Sequence, residues 1–248
     1  MGQSAQYLAE ACRPMMDDLY MLKSGLKVPD HYTSGEVAQR QEADFDPNSY
    51  FDVFTRLHMS EGYSLDFLYF ADELGGLPLV YARETTSEPY ESYFDLLSTH
   101  DEEYGGERSY GSLRHRYDFV EYVQIDQSPE SYFEHVILAI LADQFYLYWH
   151  GLYNDTIIFC DESDMERVYD ELNAFDVEFP DEVSSGLDQI DFRPSMIIGD
   201  ETVSLRIVTF SKWGGFYEQI IVLDKENHTQ LLDVQFNPLI EYDCGILF

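Results

Sequence analysis

Forty-eight aspartates and glutamates stand against fourteen lysines and arginines in this 248-residue chain, a formal charge of −34. Whatever it folds into must hold together against that self-repulsion, which works against any compact state. Only a large apolar core can oppose it, and the material is present: 45% of the residues are hydrophobic, including 20 Tyr, 17 Phe and 2 Trp. Aromatic side chains bury more area than any others, and disordered chains are poor in them. A folded protein of one large domain, or one domain with an arm, is therefore expected from the length.

The same charge excludes classes of partner. Only Lys23, Lys27, Lys212 and Lys225 are lysines, and such a chain is repelled by nucleic-acid phosphates and by anionic lipid surfaces. Direct binding to nucleic acid is the first function to set aside. The most apolar window, Val136 to Ala142, is seven residues long and stops at Asp143 and Gln144, whereas a membrane-crossing helix needs about 20. Met1 to Gln6 lack the basic start and apolar run of a secretory signal. Cys12, Cys160 and Cys244 are odd in number, far apart and in no CxxC pair. The expectation is free thiols buried as small hydrophobes in a reducing cytoplasm.

Periodicity supplies the organisation. Tyr7, Leu8, Ala11, Cys12, Met15, Met16, Leu19 and Tyr20 recur at helical spacing, with Pro14 expected to kink the run or to start a second helix. Val28 to Asn48 is polar and aperiodic. The reading is an N-terminal helical arm and linker over residues 1–44, then a globular domain over 45–248. That domain opens with strand-like runs at Phe51–Met59, Tyr63–Phe70 and Leu77–Arg83, the paired glycines 75 and 76 suiting a hairpin turn. Ser128, Pro129 and Glu130 form a helix start, with N-cap, first-turn proline and dipole-complementing acid. The helix then becomes apolar all round, as a buried one does.

Phe145–Trp149 and Thr156–Phe159 read as strands. Asp161 to Phe175 reads as an exposed helix with Met165, Val168, Tyr169 and Leu172 on one face. Val203–Phe210 and Phe216–Leu223 flank a hairpin turn, and Leu231–Phe236 extends the sheet. Strands at both ends around central helices favour an α+β fold with a largely antiparallel sheet and packed helices.

The sequence holds no dinucleotide or phosphate-loop glycine pattern, no nucleophile elbow, and no zinc-like spacing of Cys and His. No metal and no cofactor is expected. The densest polar cluster is His150, Asn154, Asp155, Cys160 and Asp161. As an active site it would use His150 as base beside a carboxylate and Cys160 as nucleophile; as structure it is an Asn-Asp turn between strands.

The acidic surface is the stronger lead. Residues 155–191 hold 13 acids against Arg167 alone. Glu162, Glu166 and Asp170 follow one another at intervals of four, where like charges repel. The functional expectation is a non-enzymatic cytoplasmic interaction protein, inhibitor-like or immunity-like, that meets a basic protein partner through Asp161, Glu162, Asp164, Glu166, Asp170 and Glu171. The alternative is an enzyme, such as a hydrolase, with its pocket around His150, Asn154 and Asp155. Adaptation to a salty cytoplasm and a simply solvated face are the competing explanations of the acidity.

Overall fold

The computed structural model describes residues 6–73, 75–99, 118–149, 156–173, 186–212 and 214–240. Helices and antiparallel sheets alternate along the chain in an α+β arrangement. The chain divides into two compact units, Met1–Asp17 with Asp155–Phe248, and Asp18–Asn154. This cut differs from the expected one at residue 44, because both sides of that boundary are built into sheets and cores.

In the first unit, β1 (Gln6–Tyr7) pairs antiparallel with β8 (Ser195–Ile198), and the Leu8 amide donates to the Pro194 carbonyl. Helix α1 (Ala9–Lys23) runs through Pro14 as one helix, and its residues up to Asp17 belong to this unit. The sheet continues from β8 to β9 (Thr202–Ser211), β10 (Gly215–Asp224) and β11 (Leu231–Ile240), while β7 (Thr156–Ile158) pairs with the far end of β9. The expected β9–β10 hairpin is present, in unbroken register from Gly215↔Ser211 to Asp224↔Thr202. Against one sheet face lies α5 (Met165–Asn173), whose Val168 and Leu172 join Ile157, Phe159, Phe192, Val208, Phe210 and Phe216 in one apolar cluster.

In the second unit, β3 (Tyr63–Ala71) and β4 (Gly75–Glu84) form a hairpin, and β6 (Tyr148–Trp149) adds to β4. A two-stranded sheet pairs β2 (Leu57–Met59) with β5 (Val123–Ile125). The segment read as a linker is packed here: Val37 bridges to Ala71, and buried Tyr32 stacks on Tyr69 with ring centroids 3.8 Å apart. Helix α3 (Tyr93–Thr99) follows the hairpin. Helix α4 (Pro129–Leu141) begins as expected, Ser128 accepting the Ser131 amide, and every residue from Ser131 to Leu141 is buried.

Three local expectations give way. Tyr50–Val53 is helical (α2), not extended, because Asp46 caps the Asn48 amide ahead of Pro47–Ser49 and starts a helical turn. Tyr146 sits at φ 52°, which takes the chain out of extended conformation, so β6 starts at Tyr148 and not at Phe145. Glycines 75 and 76 lie inside β4, not in the turn. A Cβ on Gly76 would stand 2.6 Å from the Tyr69 ring and hydroxyl and 2.8 Å from the Ala71 Cβ.

Tyr69 cannot retreat, since it is stacked on Tyr32 and its hydroxyl donates to the Tyr146 carbonyl at 2.7 Å. Gly76→Ala is therefore expected to cost about 1–3 kcal/mol of stability, as overpacking does. A shift of the urea midpoint at constant m-value would measure it.

Candidate functional site

The acidic stretch around α5 separates into two kinds of carboxylate. Asp161 has extended backbone ahead of a 3-10 turn, Glu162–Asp164, and its side chain accepts the Ser163 amide at 2.8 Å. Asp164 reaches back in a capping box, accepting the Cys160 amide at 2.7 Å and the Asp161 amide at 3.4 Å. Asp164 is only 1% exposed. A buried carboxylate needs pairing, and here Arg13 Nη1 lies 2.5 Å from its Oδ1, Arg13 Nη2 lies 2.9 Å from its Oδ2, and Arg167 Nε stands 3.4 Å away.

Arg13 also meets Asp161 at 2.8 Å and donates to Ser163 Oγ at 2.9 Å. Burial alone would lower the pKa of the Arg13 guanidinium, but hydrogen bonds to Asp164 and Asp161 hold it above its usual value. For Asp161, burial pushes the pKa upward and is outweighed by hydrogen bonds from Ser163 and Arg13, leaving it lowered. Arg167 reaches Asp17 as well, at 2.6 Å. Asp161 and Asp164, both expected on a partner-binding face, are thus engaged within the unit. For Asp164 this is a correction: it has no surface to offer.

Glu162, Glu166 and Asp170 are exposed and form no ion pair among the described residues. Tyr169, expected on the apolar face with Val168 and Leu172, is instead 45% exposed on α5 beside Glu166 and Asp170, while Val168 and Leu172 enter the core from the opposite side. Glu171 falls within α5.

The enzymatic alternative loses one of its residues. Cys160 is bonded to Cys12 across 148 positions of sequence, with both residues fully buried. The expectation of free thiols is overturned for this pair, and a sulfur in a buried disulfide is no thiolate nucleophile. Sequence could not pair them, because the contact exists only once α1 lies against the end of β7. His150, Asn154 and Asp155 lie outside the described residues. Among the described residues no group of three His, Cys, Asp or Glu is placed to hold a metal ion, and no helix is long and apolar enough to cross a membrane.

Two further carboxylates escaped the sequence reading. Asp66, an outward-alternating position by pattern, is buried between Arg40 at 2.6 Å and Arg83 at 2.9 Å. Arg40 also donates to Tyr81 Oη at 3.2 Å. The phenol of Tyr81 is pushed up to about 12, first by burial and then by the Asp66 charge. Glu134, buried on α4, accepts the Arg56 amide at 2.9 Å, and burial raises its pKa. The signal for such sites was the scarcity of basic residues. Arg13, Arg40, Arg56, Arg83, Arg167, Arg193 and Arg206, all the described arginines, each sit in an ion pair within the chain.

No protein-family model, curated protein or solved structure matches the chain.

Two stability effects follow. Reducing the Cys12–Cys160 bond frees a loop of 148 residues in the unfolded state, a loss of about 5 kcal/mol in the chain-entropy account. Guanidinium unfolding of oxidised protein against the Cys12→Ser/Cys160→Ser variant would measure it. A raised carboxyl pKa means the folded state favours the protonated Glu134, a stabilisation complete at low pH and lost as pH rises through the folded value. Glu134→Gln keeps an acceptor for the Arg56 amide without the buried charge. It is expected to raise the melting temperature at pH 7 and to leave it unchanged near pH 3, as read by thermal unfolding at the two pH values.

Proposed function

We propose that this chain is an interaction protein that engages a basic protein partner through the outer side of α5 and the 3-10 turn before it, with Glu162, Glu166 and Asp170 as the charged contacts and Tyr169 as the aromatic anchor. The observation that carries the reading is the contrast within one acidic segment. Asp161 and Asp164 are satisfied by Arg13 and Arg167, while the three carboxylates on the open side have no cation of their own among the described residues. Carboxylates left together around an exposed tyrosine suit a cationic surface: complementary charge steers the encounter, and an aromatic ring offers lysines and arginines both apolar area and its negative face. Glu171 is part of the same segment.

Phosphate-bearing partners fit poorly, since every described arginine is already engaged within the chain, and nucleic acid stays outside the proposal. The cytoplasmic location expected from free thiols loses that argument to the Cys12–Cys160 bond, which favours a compartment oxidising enough to form it.

The test uses a fluorescently labelled oligo-lysine peptide as the cationic probe at low salt. Combined charge reversal, Glu162→Lys/Glu166→Lys/Asp170→Lys, is expected to weaken binding at least tenfold, which corresponds to about 1.4 kcal/mol. Reversal of Asp200, Glu201 and Glu226, exposed elsewhere in the same unit, should weaken it far less. Tyr169→Ala should weaken it severalfold alone. Equal losses from the two triple variants would mean that diffuse charge, not this helix face, attracts the probe, and the proposal would fall.

A further inference from the structure

Strand β11 carries a single charge on this very acidic molecule, and among the described residues it is an edge. Among the described residues its only neighbour is β10. Of its ten residues, Leu-Leu-Asp-Val-Gln-Phe-Asn-Pro-Leu-Ile, only Asp233 is ionisable. The ladder is regular from Asp233↔Val222 to Pro238↔Tyr217, with irregularities beyond each end. The pairs Phe236↔Gln219 and Val234↔Ile221 place Val234, Phe236 and Pro238 on the sheet face that carries buried Gln219 and Ile221. There Phe236 is 47% exposed, and Leu232, in the irregular stretch next to the regular ladder, is 43% exposed.

We infer that β11 is the contact through which two copies of this chain associate, antiparallel and edge to edge, about a two-fold axis through Gln235. The backbone sets the register. A proline stands in a ladder only where its missing N–H faces away from the partner strand, so the peptide groups of Pro238 point outward, and by alternation those of Phe236 and Val234 do too. Centring on Gln235 sets Val234 opposite the other copy's Phe236, each with an N–H and C=O unpaired among the described residues, a narrow pair that exchanges two hydrogen bonds. Centring on Phe236 would put Val234 opposite donor-less Pro238 and lose bonds on both sides of the axis.

The side chains agree with the same register. Val234 and Phe236 form a four-residue apolar group on one face. On the other, Asp233 meets Asn237 and Gln235 meets Gln235, so the single charge faces an amide and never its own copy. Like charges directly opposite would be destabilising. A second copy carries the same −34, and a surface almost without charge is where such a molecule can be approached by its like. Chains of any chemistry could pair with an open edge, but the two-fold match of residues 233–237 specifies self.

This association differs from capture of a basic partner in the sign of its salt dependence. Screening shortens the range of repulsion, the Debye length falling to about 3 Å at 1 M salt, so the dimer should strengthen with salt while a cationic partner is lost. Sedimentation velocity of the full chain at about 0.05 M and about 1 M salt is expected to show a shift from monomer toward twice the monomer mass. Phe236→Lys, at an exposed position, should return it to monomer.

Geometry is tested separately by cross-linking in a Cys244→Ser background. Gln235→Cys, opposite itself, is expected to form an intermolecular disulfide under mild oxidation, and Asp233→Cys, opposite Asn237, is not. A chain that remains monomeric at high salt overturns the inference. So does a dimer unaffected by Phe236→Lys, or one in which Asp233→Cys cross-links as readily as Gln235→Cys.

Discussion

The acidic corner of the first unit depends on the burial of one carboxylate. Asp164 sits in the interior with two guanidinium groups and two backbone amides around it. Removing such a charge from water costs several kcal/mol, recovered only when its lone pairs are fully met. That requirement ties together three segments far apart in sequence: Arg13 on α1, the Cys160 amide after β7, and Arg167 on α5. The Cys12–Cys160 bond joins two of the same segments one residue from Arg13 and four from Asp164. With Asp164 and Asp161 directed toward Arg13, the rotation of α5 is fixed. Val168 and Leu172 then face the sheet, and Glu166, Tyr169 and Asp170 face solvent.

Cation scarcity extends this logic to the rest of the molecule. With so few basic residues, every described arginine is committed to a carboxylate, buried or exposed: Arg40 and Arg83 on buried Asp66, Arg206 on Glu218 at 2.5 Å, Arg193 on Asp191 at 2.8 Å. Asp191 is held at about 2, first by the Arg193 hydrogen bond, against the upward pull of burial. Surface pairs of this kind contribute little to stability. Their consequence is distributional: positive charge is drawn into internal bridges, and the acids without a bridge define the outer field.

What was legible in the sequence was local. Ser128 and Pro129 announce α4 because capping is decided within one turn, and the β9–β10 hairpin is announced by two alternating runs around a short glycine-containing turn. The apolar side of α5 was visible in the spacing of Val168 and Leu172. What was not legible depends on partners remote in the chain. Asp66 alternates like a solvent-facing residue, yet two arginines allow it inside. Gly75 and Gly76 look like a turn, yet Gly76 is small because the Tyr69 ring lies over it. Cys12 and Cys160 carry no spacing signal across 148 positions, so their bond could be found only in three dimensions. The candidate acidic site was half legible: composition located the segment, but only the fold could separate Asp164, a structural anion, from Glu166 and Asp170 in the same helical region.

Like charges at intervals of four on the acidic segment admit a basic partner, a salty cytoplasm or a simply solvated face as explanations, and the packing of α5 holds the helix without the first two. Neighbouring acids on a helix cost about 0.2–0.5 kcal/mol per pair. Burying a valine or leucine side chain contributes about 1.5–3 kcal/mol, and α5 buries one of each in an aromatic cluster. The apolar side therefore outweighs the repulsion on the outer side by several-fold, and the helix holds without help. A partner docking on Glu162, Glu166 and Asp170 would bind a surface already formed, so its affinity has to come from the contacts themselves and not from release of strain. That is the condition under which charge steers association quickly while leaving the fold of the acidic protein unchanged by the encounter.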